Sequence, residues 1–224
     1  MDQLLASGLT ADVFAVDQAR VRRRYRSPRA DVAAEAATMA YVAGYGFPVP
    51  RVYEATGADL VLERLDGPTM LEALLARGLA IPEAAHILAD LHTRLHALPP
   101  RTPADDPAAT VLHLDLHPAN VMLTGRGPVV IDWTNATDGP ADLDLALTAF
   151  ILAEAAVDPS VLAGTVVTPD DVQLLIVSFL DRAGGDPLGQ LERAHAYRRD
   201  DAALGPPQPG KLAAAEALVR ASAR

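Results

Sequence analysis

The stretch His113-Leu114-Asp115-Leu116-His117-Pro118-Ala119-Asn120 decides how this sequence is interpreted, together with the apolar run Val129-Val130-Ile131 that leads into Asp132 and Trp133. An aspartate, an asparagine and a second aspartate are thereby spaced along one short segment. The connection of residues 124–128 is short, so we predict a hairpin that brings Asn120 close to Asp132. A lone loop aspartate is usually a turn or cap residue, whereas this order, spacing and strand context together indicate a functional site.

The residue types in this segment suit phosphoryl transfer from a nucleotide. That reaction needs a group that orients the acceptor hydroxyl, metal ions on the phosphate oxygens and a cation on the remaining phosphates. Asp115 meets the first need, since we expect it in a loop between a helix and the short strand of residues 121–123. Asn120 and Asp132 offer the hard oxygen ligands that magnesium prefers. We expect His113 to brace the loop backbone.

Composition and charge exclude several other classes of protein. The chain has 224 residues, half of them hydrophobic, which is enough for one large domain or two modest lobes. Its formal charge of −10 argues against nucleic-acid binding. No apolar run reaches the roughly 18 residues of a membrane span. The absence of cysteine and of a secretory signal favours a cytoplasmic protein, and the oligomeric state stays open.

The pattern along the chain changes from strands to helices near residue 63. We predict a β-rich N-lobe over residues 1–62 with turns at residues 17–19 and 56–59 and one alanine-rich helix over 31–42. A hinge follows at 63–67. Residues 68–224 are predicted as a helical C-lobe that contains the catalytic loop 113–120 and the metal-binding strand end 129–133. Its predicted helices cover residues 84–98, 144–157, 169–180 and 212–219.

These motifs resemble those of the aminoglycoside phosphotransferase family, which is related to the protein kinases and to choline kinase. Residues 113–120 match H-x-D-x-x-P-x-N, and Ile131-Asp132-Trp133 matches I-D-W. The segment 139–146 is similar to the family's G-x-P-x-x-D-L-A. The resemblance covers roughly residues 5–156.

The resemblance implies an α+β, two-lobed protein-kinase-like fold with a small antiparallel β N-lobe carrying one helix and a mainly helical C-lobe. It implies ATP, or another nucleoside triphosphate, and magnesium as cofactors. Asp115 would be the catalytic base, and Asn120 and Asp132 would hold magnesium. Asp144 would brace the catalytic loop, and a simple helix-start role for it is an equally good alternative. His117 would either contact the transferred phosphate or pack within the loop.

The phosphate-binding side departs from the family pattern. Such kinases place a lysine on the third strand, paired with a helix glutamate, but the only lysine here is Lys211. Alternation along the strand puts Val21 and Arg23 on one face, so Arg23 takes the position of the lysine. Arginine is bulkier and not interchangeable with lysine. Glu35 is the best partner for Arg23, and a solvent-facing helix acid is the alternative.

Two further parts of the nucleotide site follow from the resemblance. The loop of residues 7–12 would cover the phosphates with a single glycine, Gly8, its backbone amides and the hydroxyls of Ser7 and Thr10. The hinge backbone would bond the adenine edge at Leu62 and Glu63.

Two functions are consistent with these residues. The first is a small-molecule kinase that moves the γ-phosphate of ATP to a hydroxyl, and a cationic acceptor would suit the charge of −10. The second is a non-catalytic, pseudokinase-like nucleotide-binding protein, motivated by the missing lysine and the single loop glycine. Acids of the last third either line a cationic acceptor pocket or form a solvated face; they are Asp181, Asp186, Glu192, Asp200 and Asp201.

Overall fold

The computed structural model describes residues 3–8, 10–27, 30–103, 106–201 and 210–223. Its first part is an antiparallel sheet with the strand order β1-β2-β3-β5-β4. The strands are β1 (Gln3–Ser7), β2 (Ala11–Ala15), β3 (Arg20–Tyr25), β4 (Val52–Thr56) and β5 (Asp59–Glu63), and helix α1 (Val32–Gly44) lies between β3 and β4 in the chain. Both predicted hairpins and the predicted helix are present.

The second part is mainly helical, as the resemblance implies. Its helices are α2 (Met70–Leu75), α3 (Ile81–His96), α4 (Ala141–Val157), α5 (Pro159–Leu162), α6 (Pro169–Ala183), α7 (Leu191–Asp200) and α8 (Lys211–Ser222). Two small antiparallel strand pairs interrupt them, β6 (Ala109–Leu112) with β9 (Thr137–Pro140) and β7 (Val121–Thr124) with β8 (Gly127–Val130). Among the described residues, no helix is both long and apolar enough to span a membrane.

Local chemistry explains where the main helices begin. The Asp31 side chain accepts from the N–H of Ala34 at 2.9 Å and caps α1. Thr168 and Asp171 form a reciprocal capping box at the start of α6. Helix α4 is buried along most of its length because it packs against α6, α7 and α8, which leaves it little polar face.

Several elements differ from the sequence-based expectation. Strand β1 was not predicted, because all five of its residues are exposed and show no alternating pattern. Helix α7 was also missed, since only Leu191 and Ala194 of its ten residues are buried. Strand β6, which lies between α3 and the catalytic loop, was not predicted.

The two parts of the chain are connected by a segment that lies directly on the β7–β8 hairpin. Gly67 has a φ of +132°, and a Cβ atom there would lie 2.0 Å from the carbonyl oxygen of Leu123. The N–H of Leu123 donates to the carbonyl of Pro68 at 2.8 Å. Glycine is required at position 67 because both the backbone angle and the close approach exclude a side chain.

Candidate active site

The catalytic loop runs from the end of β6 to the start of β7, and its backbone is hydrogen-bonded to Asp144 of α4. The fully buried Asp144 carboxylate accepts from the N–H groups of Leu114 at 2.7 Å and His113 at 3.0 Å. It also accepts from Nε2 of His96 at 3.0 Å. Burial raises the pKa of Asp144, but the hydrogen bond from His96 and the nearby histidines outweigh it and hold that pKa below its usual range. Asp144 thus fixes the loop from the first turn of α4.

Asp115 projects from this loop with about a quarter of its side chain exposed. Nδ2 of Asn120 donates to its Oδ2 at 3.1 Å, and Nε2 of His117 lies 3.5 Å from its Oδ1. Burial, followed by the charge of Asp132, raises the pKa of Asp115 to about 7, against the lowering effect of Arg198 and Asn120. A carboxylate with a pKa near neutrality is suited to accept a proton from an alcohol.

The two histidines of the motif lie inside the loop. His113 is fully buried; its Nδ1 accepts from the N–H of Asp115 at 3.3 Å and its Nε2 donates to the carbonyl of Ile131 at 3.2 Å. Its ring contacts the buried Trp133 with centroids 4.8 Å apart. His117 accepts from the N–H of Ala119 at 3.3 Å, and burial lowers its pKa to about 4. Both rings therefore shape the loop as neutral groups at pH 7.

Asn120 and Asp132 lie together because the N–H of Ile131 donates to the carbonyl of Asn120 at 3.0 Å. The side-chain amide nitrogen of Asn120 donates to the backbone oxygen of Asp115 at 2.9 Å, which leaves the side-chain oxygen of Asn120 for a cation. Asp132 follows β8 with a φ of +63° and keeps about a third of its side chain exposed. In the described part of the chain, no group of three or more histidine, cysteine or acidic side chains could hold a metal ion. One amide and one carboxylate still fit magnesium, which takes its other ligands from phosphates and water.

Arg23 occupies the position predicted for the strand cation. Its Nη1 lies 2.9 Å from Oε1 of Glu35, so the predicted pair is present, and its Nη2 lies 2.6 Å from Oδ1 of Asp132. Burial lowers the pKa of Arg23, but the charges of Asp132 and Glu35 together raise this pKa by more than burial lowers it. The guanidinium therefore stays charged. Glu35 is buried and also accepts from the N–H of Trp133 at 3.1 Å. One guanidinium therefore faces two carboxylates, a balance that favours an additional cation.

Two site residues were missed from the sequence. The hydroxyl of the buried Tyr25 donates to Oε2 of Glu35 and lies 2.9 Å from Oγ1 of Thr134. Thr134 in turn donates to Oδ1 of Asp132 at 2.9 Å. The alternation that placed Val21 and Arg23 on one face of β3 also places Tyr25 there, so this signal could have identified Tyr25.

The loop between β1 and β2 is held by its own Ser7 and Asp12 and by Arg26, which follows β3. The Ser7 hydroxyl donates to Asp12 at 2.6 Å and accepts from Nη2 of Arg26 at 2.7 Å. Nη1 of Arg26 donates to the carbonyl of Gly8 at 2.8 Å, and the backbone N–H of Arg26 donates to the carbonyl of Thr10 at 3.0 Å. Ser7 therefore already has two polar partners, Asp12 and Arg26.

Leu62 and Glu63 lie inside the sheet. The backbone of Leu62 is paired with Val21 on one side and Val52 on the other. The N–H of Glu63 donates to the carbonyl of Arg51 at 2.8 Å, and its carboxylate binds Arg126. Leu62 and Glu63, which we predict to bond the adenine edge through their backbone, thus lie on β5, and the N–H of Glu63 already has a partner in the sheet.

A cavity of about 590 Å³ lies beside α7. Among the acids that the sequence singled out, Asp200 and Asp201 line it, whereas Asp181, Asp186 and Glu192 do not. Its other lining residues are Leu143, Arg193, Ala196 and Tyr197. Nε of Arg198 binds Oε2 of Glu154 at 2.6 Å and thereby attaches α7 to α4. The charge of Arg198 lowers the pKa of Asp115, and the charge of Asp201 raises it.

The sequence matches the family model described as the phosphotransferase enzyme family (APH), over residues 3–107 and again over 69–173. The chain belongs to the phosphotransferase enzyme family. This confirms the resemblance drawn from the motifs. No curated protein sequence gives a significant match.

Solved structures of phosphotransferases share the fold. The streptomycin-ATP complex of APH(2")-IIa superposes with a TM-score of 0.59 at 11% identity, covering 98% of this chain and 91% of that one. An ethanolamine kinase of Plasmodium vivax gives 0.58 at 14% identity, with coverages of 100% and 81%. A choline/ethanolamine kinase family protein of Mesorhizobium loti gives 0.54 at 17% identity, with coverages of 97% and 92%. These matches confirm the two-lobed kinase-like fold predicted for this family member.

Proposed function

We propose that this phosphotransferase moves the γ-phosphate of ATP to a hydroxyl group of a small molecule. The observation that carries the proposal is the convergence of Asp115, Asn120, Asp132 and Arg23 at the junction of the sheet and the helical part. The nucleotide would lie in the cleft between them, and we place the hinge at residues 63–67, between N-lobe residues 1–62 and C-lobe residues 68–224. The backbone from Leu65 to Gly67 would meet the purine edge, since the N–H groups of Glu63 and Arg64 are used in the sheet.

Each residue of the site would have a separate task. Asp115 orients the acceptor hydroxyl and takes its proton as the oxygen attacks. Arg23 binds oxygens of the inner phosphates. Asn120 and Asp132 would hold magnesium, which supplies positive charge to the phosphate oxygens when it is bound. Most of the catalysis would then come from positioning and electrostatic stabilisation.

The acceptor would bind in the cavity beside α7. Asp200 and Asp201 line this cavity beside Arg193, and each also pairs with an arginine of α7, Asp200 with Arg199 at 2.8 Å and Asp201 with Arg198 at 3.7 Å, so a positively charged acceptor group would share these carboxylates with the arginines. Solved structures of the same fold include an ethanolamine kinase, whose name specifies a small hydroxylated amine, and a complex with streptomycin. A small hydroxylated amine is therefore the acceptor class that we propose.

The alternative is a nucleotide-binding protein without catalysis. It is favoured by one observation, the direct contact between Arg23 and Asp132, since a bulky arginine there competes with a metal ion for the carboxylate. The retention of Asp115 with a raised pKa favours the enzyme, because a scaffold does not need a base.

The Asp115→Asn variant tests the proposed function. We expect turnover to fall about 10²- to 10⁴-fold, because the amide cannot take the proton. Magnesium-ATP binding, measured by calorimetry, should stay within about threefold of the wild type, since Asp115 is assigned to the acceptor and not to the nucleotide. ADP release is followed against a panel of hydroxylated amines, aminoglycosides and neutral alcohols.

The matched control is Asp181→Asn, which removes one exposed carboxylate from the end of α6 and should leave turnover unchanged. Normal turnover by Asp115→Asn with a confirmed acceptor would show that another group is the base. Magnesium-ATP binding without ADP release for any acceptor would support the non-catalytic alternative.

A further inference from the structure

We propose that Tyr25 is a positioning residue whose hydroxyl, through Thr134, couples the Arg23–Glu35 pair to the metal-binding carboxylate of Asp132. The inference deepens the proposed function and rests on it, because it concerns how the magnesium side and the phosphate side of the same nucleotide site act together. Neither hydroxyl has a role in the mechanism described above.

Four oxygen-bearing side chains form a continuous path across the cleft. Glu35 on α1 accepts from the hydroxyl of Tyr25 on β3, which lies 2.9 Å from Oγ1 of Thr134. Thr134 lies 2.9 Å from Oδ1 of Asp132. The path thus begins in the first lobe and ends on the proposed metal ligand.

Arg23 closes this path into a ring. It binds Glu35 at 2.9 Å and Asp132 at 2.6 Å, and its guanidinium carbon lies 4.7 Å from the centre of the Tyr25 ring. The tyrosine therefore touches Arg23 with its aromatic face and the partner of Arg23 with its hydroxyl. A group that holds both members of an ion pair determines where the cation points.

The number of protons in the path links the hydrogen bonds at its two ends. Two hydroxyl groups supply two protons for three oxygen-to-oxygen contacts, so one contact always lacks a donor. Tyr25 donates to the carboxylate of Glu35, and Thr134 can donate either to Asp132 or to Tyr25. When Asp132 binds a cation it no longer needs the proton of Thr134, which can then be donated to Tyr25.

A second consequence concerns Arg23. A cation on Asp132 also replaces the charge of Nη2, which frees that nitrogen for a phosphate oxygen. Nη1 keeps its contact with Glu35. Glu35 then accepts from the hydroxyl of Tyr25, which in turn accepts from the hydroxyl of Thr134. The hydroxyl link thus lets metal binding at Asp132 and phosphate binding at Arg23 strengthen each other, which is a coupling between two parts of one site.

The test measures how much magnesium strengthens the binding of AMP-PNP, as the ratio of Kd values in EDTA and in magnesium. In Tyr25→Phe the ring remains against Arg23 but the hydroxyl is lost, and we expect this ratio to fall about tenfold, the effect of one hydrogen bond to a charged group. Thr134→Val should lower the ratio as well. The double variant should lose little more than the larger single loss, because both hydroxyls belong to one path.

The matched control is Tyr41→Phe. Tyr41 lies on α1, and its hydroxyl donates to the carbonyl of Pro99 at 3.1 Å in the other lobe, away from Arg23. Its Tm is measured beside that of Tyr25→Phe, and the magnesium ratio should stay within about twofold, which separates a positioning role from a structural one.

Two results would overturn the inference in distinguishable ways. If wild-type protein shows a magnesium effect and Tyr25→Phe shows the same effect, the hydroxyl link is wrong and the proposed function stands. If the wild type binds AMP-PNP equally with and without magnesium, the proposed function fails and the link fails with it.

Discussion

At the scale of single residues, Gly67 determines how the linker passes from the sheet to the helical part. We expect Gly67→Ala to lower the free energy of unfolding by about 2–4 kcal/mol, because it combines a left-handed backbone angle with a Cβ atom that collides with the carbonyl oxygen of Leu123. Urea unfolding followed by circular dichroism measures the change. Gly57→Ala is the control, since Gly57 has a φ of +60° but a Cβ atom added there would meet no other atom within 4 Å.

The control should cost about 1 kcal/mol from backbone strain alone. Equal losses for the two variants would mean that the linker does not lie as close to β7 as the contact with Leu123 indicates. The difference between the variants combines the close approach with the larger strain that a φ of +132° imposes on alanine compared with the left-handed φ of +60° at Gly57.

At the scale of secondary-structure elements, α1 is attached to the helical part by Arg101, which lies between α3 and β6. Nη1 of Arg101 donates to Oγ1 of Thr38 on α1, and its Nε binds Oδ1 of Asp138 on β9 at 3.0 Å. We expect Arg101→Met to lower the free energy of unfolding by about 1–3 kcal/mol, because it leaves the half-buried Asp138 without its cation. We also expect faster amide hydrogen exchange in α1.

Hydrogen exchange followed by mass spectrometry reports on each helix separately. Arg220→Met is the matched control, since Arg220 forms an exposed pair with Glu216 within α8 and should change stability by less than about 0.5 kcal/mol. Unchanged exchange in α1 of Arg101→Met would show that packing against the sheet, and not this arginine, holds the helix that carries Glu35.

At the scale of the whole molecule, Asp144 connects α3, α4 and the catalytic loop and makes stability depend on pH. Because its pKa is lower in the folded protein than in the unfolded chain, the unfolded state binds more protons in acid. The stabilisation is therefore complete above the ordinary aspartate pKa of about 3.9 and is lost as the pH falls towards the folded-state pKa. We expect Asp144→Asn to cost about 3 kcal/mol at pH 7, since an amide cannot accept all three hydrogen bonds.

Unfolding measured from about pH 7 down to about pH 3 tests the sign as well as the size of this effect. Below about pH 4 the stability of Asp144→Asn should fall less steeply than that of the wild type, because the variant already lacks the stabilisation that the Asp144 carboxylate provides. Asp181→Asn serves as the control, and we expect its free energy of unfolding, plotted against pH, to run parallel to that of the wild type. A parallel curve for Asp144→Asn would mean that Asp144 does not carry the acid dependence.

Much of the fold follows from patterns that are local in the chain. The cap residues of α1 and α6, the turns after β2 and β4 and the β7–β8 hairpin depend on residues within a few positions of one another. The catalytic motif is compact for the same reason, so its spacing in the sequence is nearly its spacing in space. The alternation along β3 likewise predicted that Arg23 points towards the site.

The remaining features depend on contacts between distant residues. Tyr25 and Thr134 are 109 positions apart, and Glu35 and Trp133 are 98 apart, so no periodicity in the sequence relates them. The exposed strand β1 and the polar helix α7 have little apolar pattern because they are stabilised by neighbours and not by their own buried faces.

The sequence by itself determined the family and the two-lobed fold, and it supplied the candidates for the base, the two metal ligands and the strand cation. Only the tertiary structure decided that Arg23 contacts both Glu35 and Asp132, that Leu62 and Glu63 are used inside the sheet and that Asp200 and Asp201 share a cavity. The physical reason is that backbone preferences and amphipathic periods act over a few residues, whereas the packing of the two lobes selects which distant side chains meet.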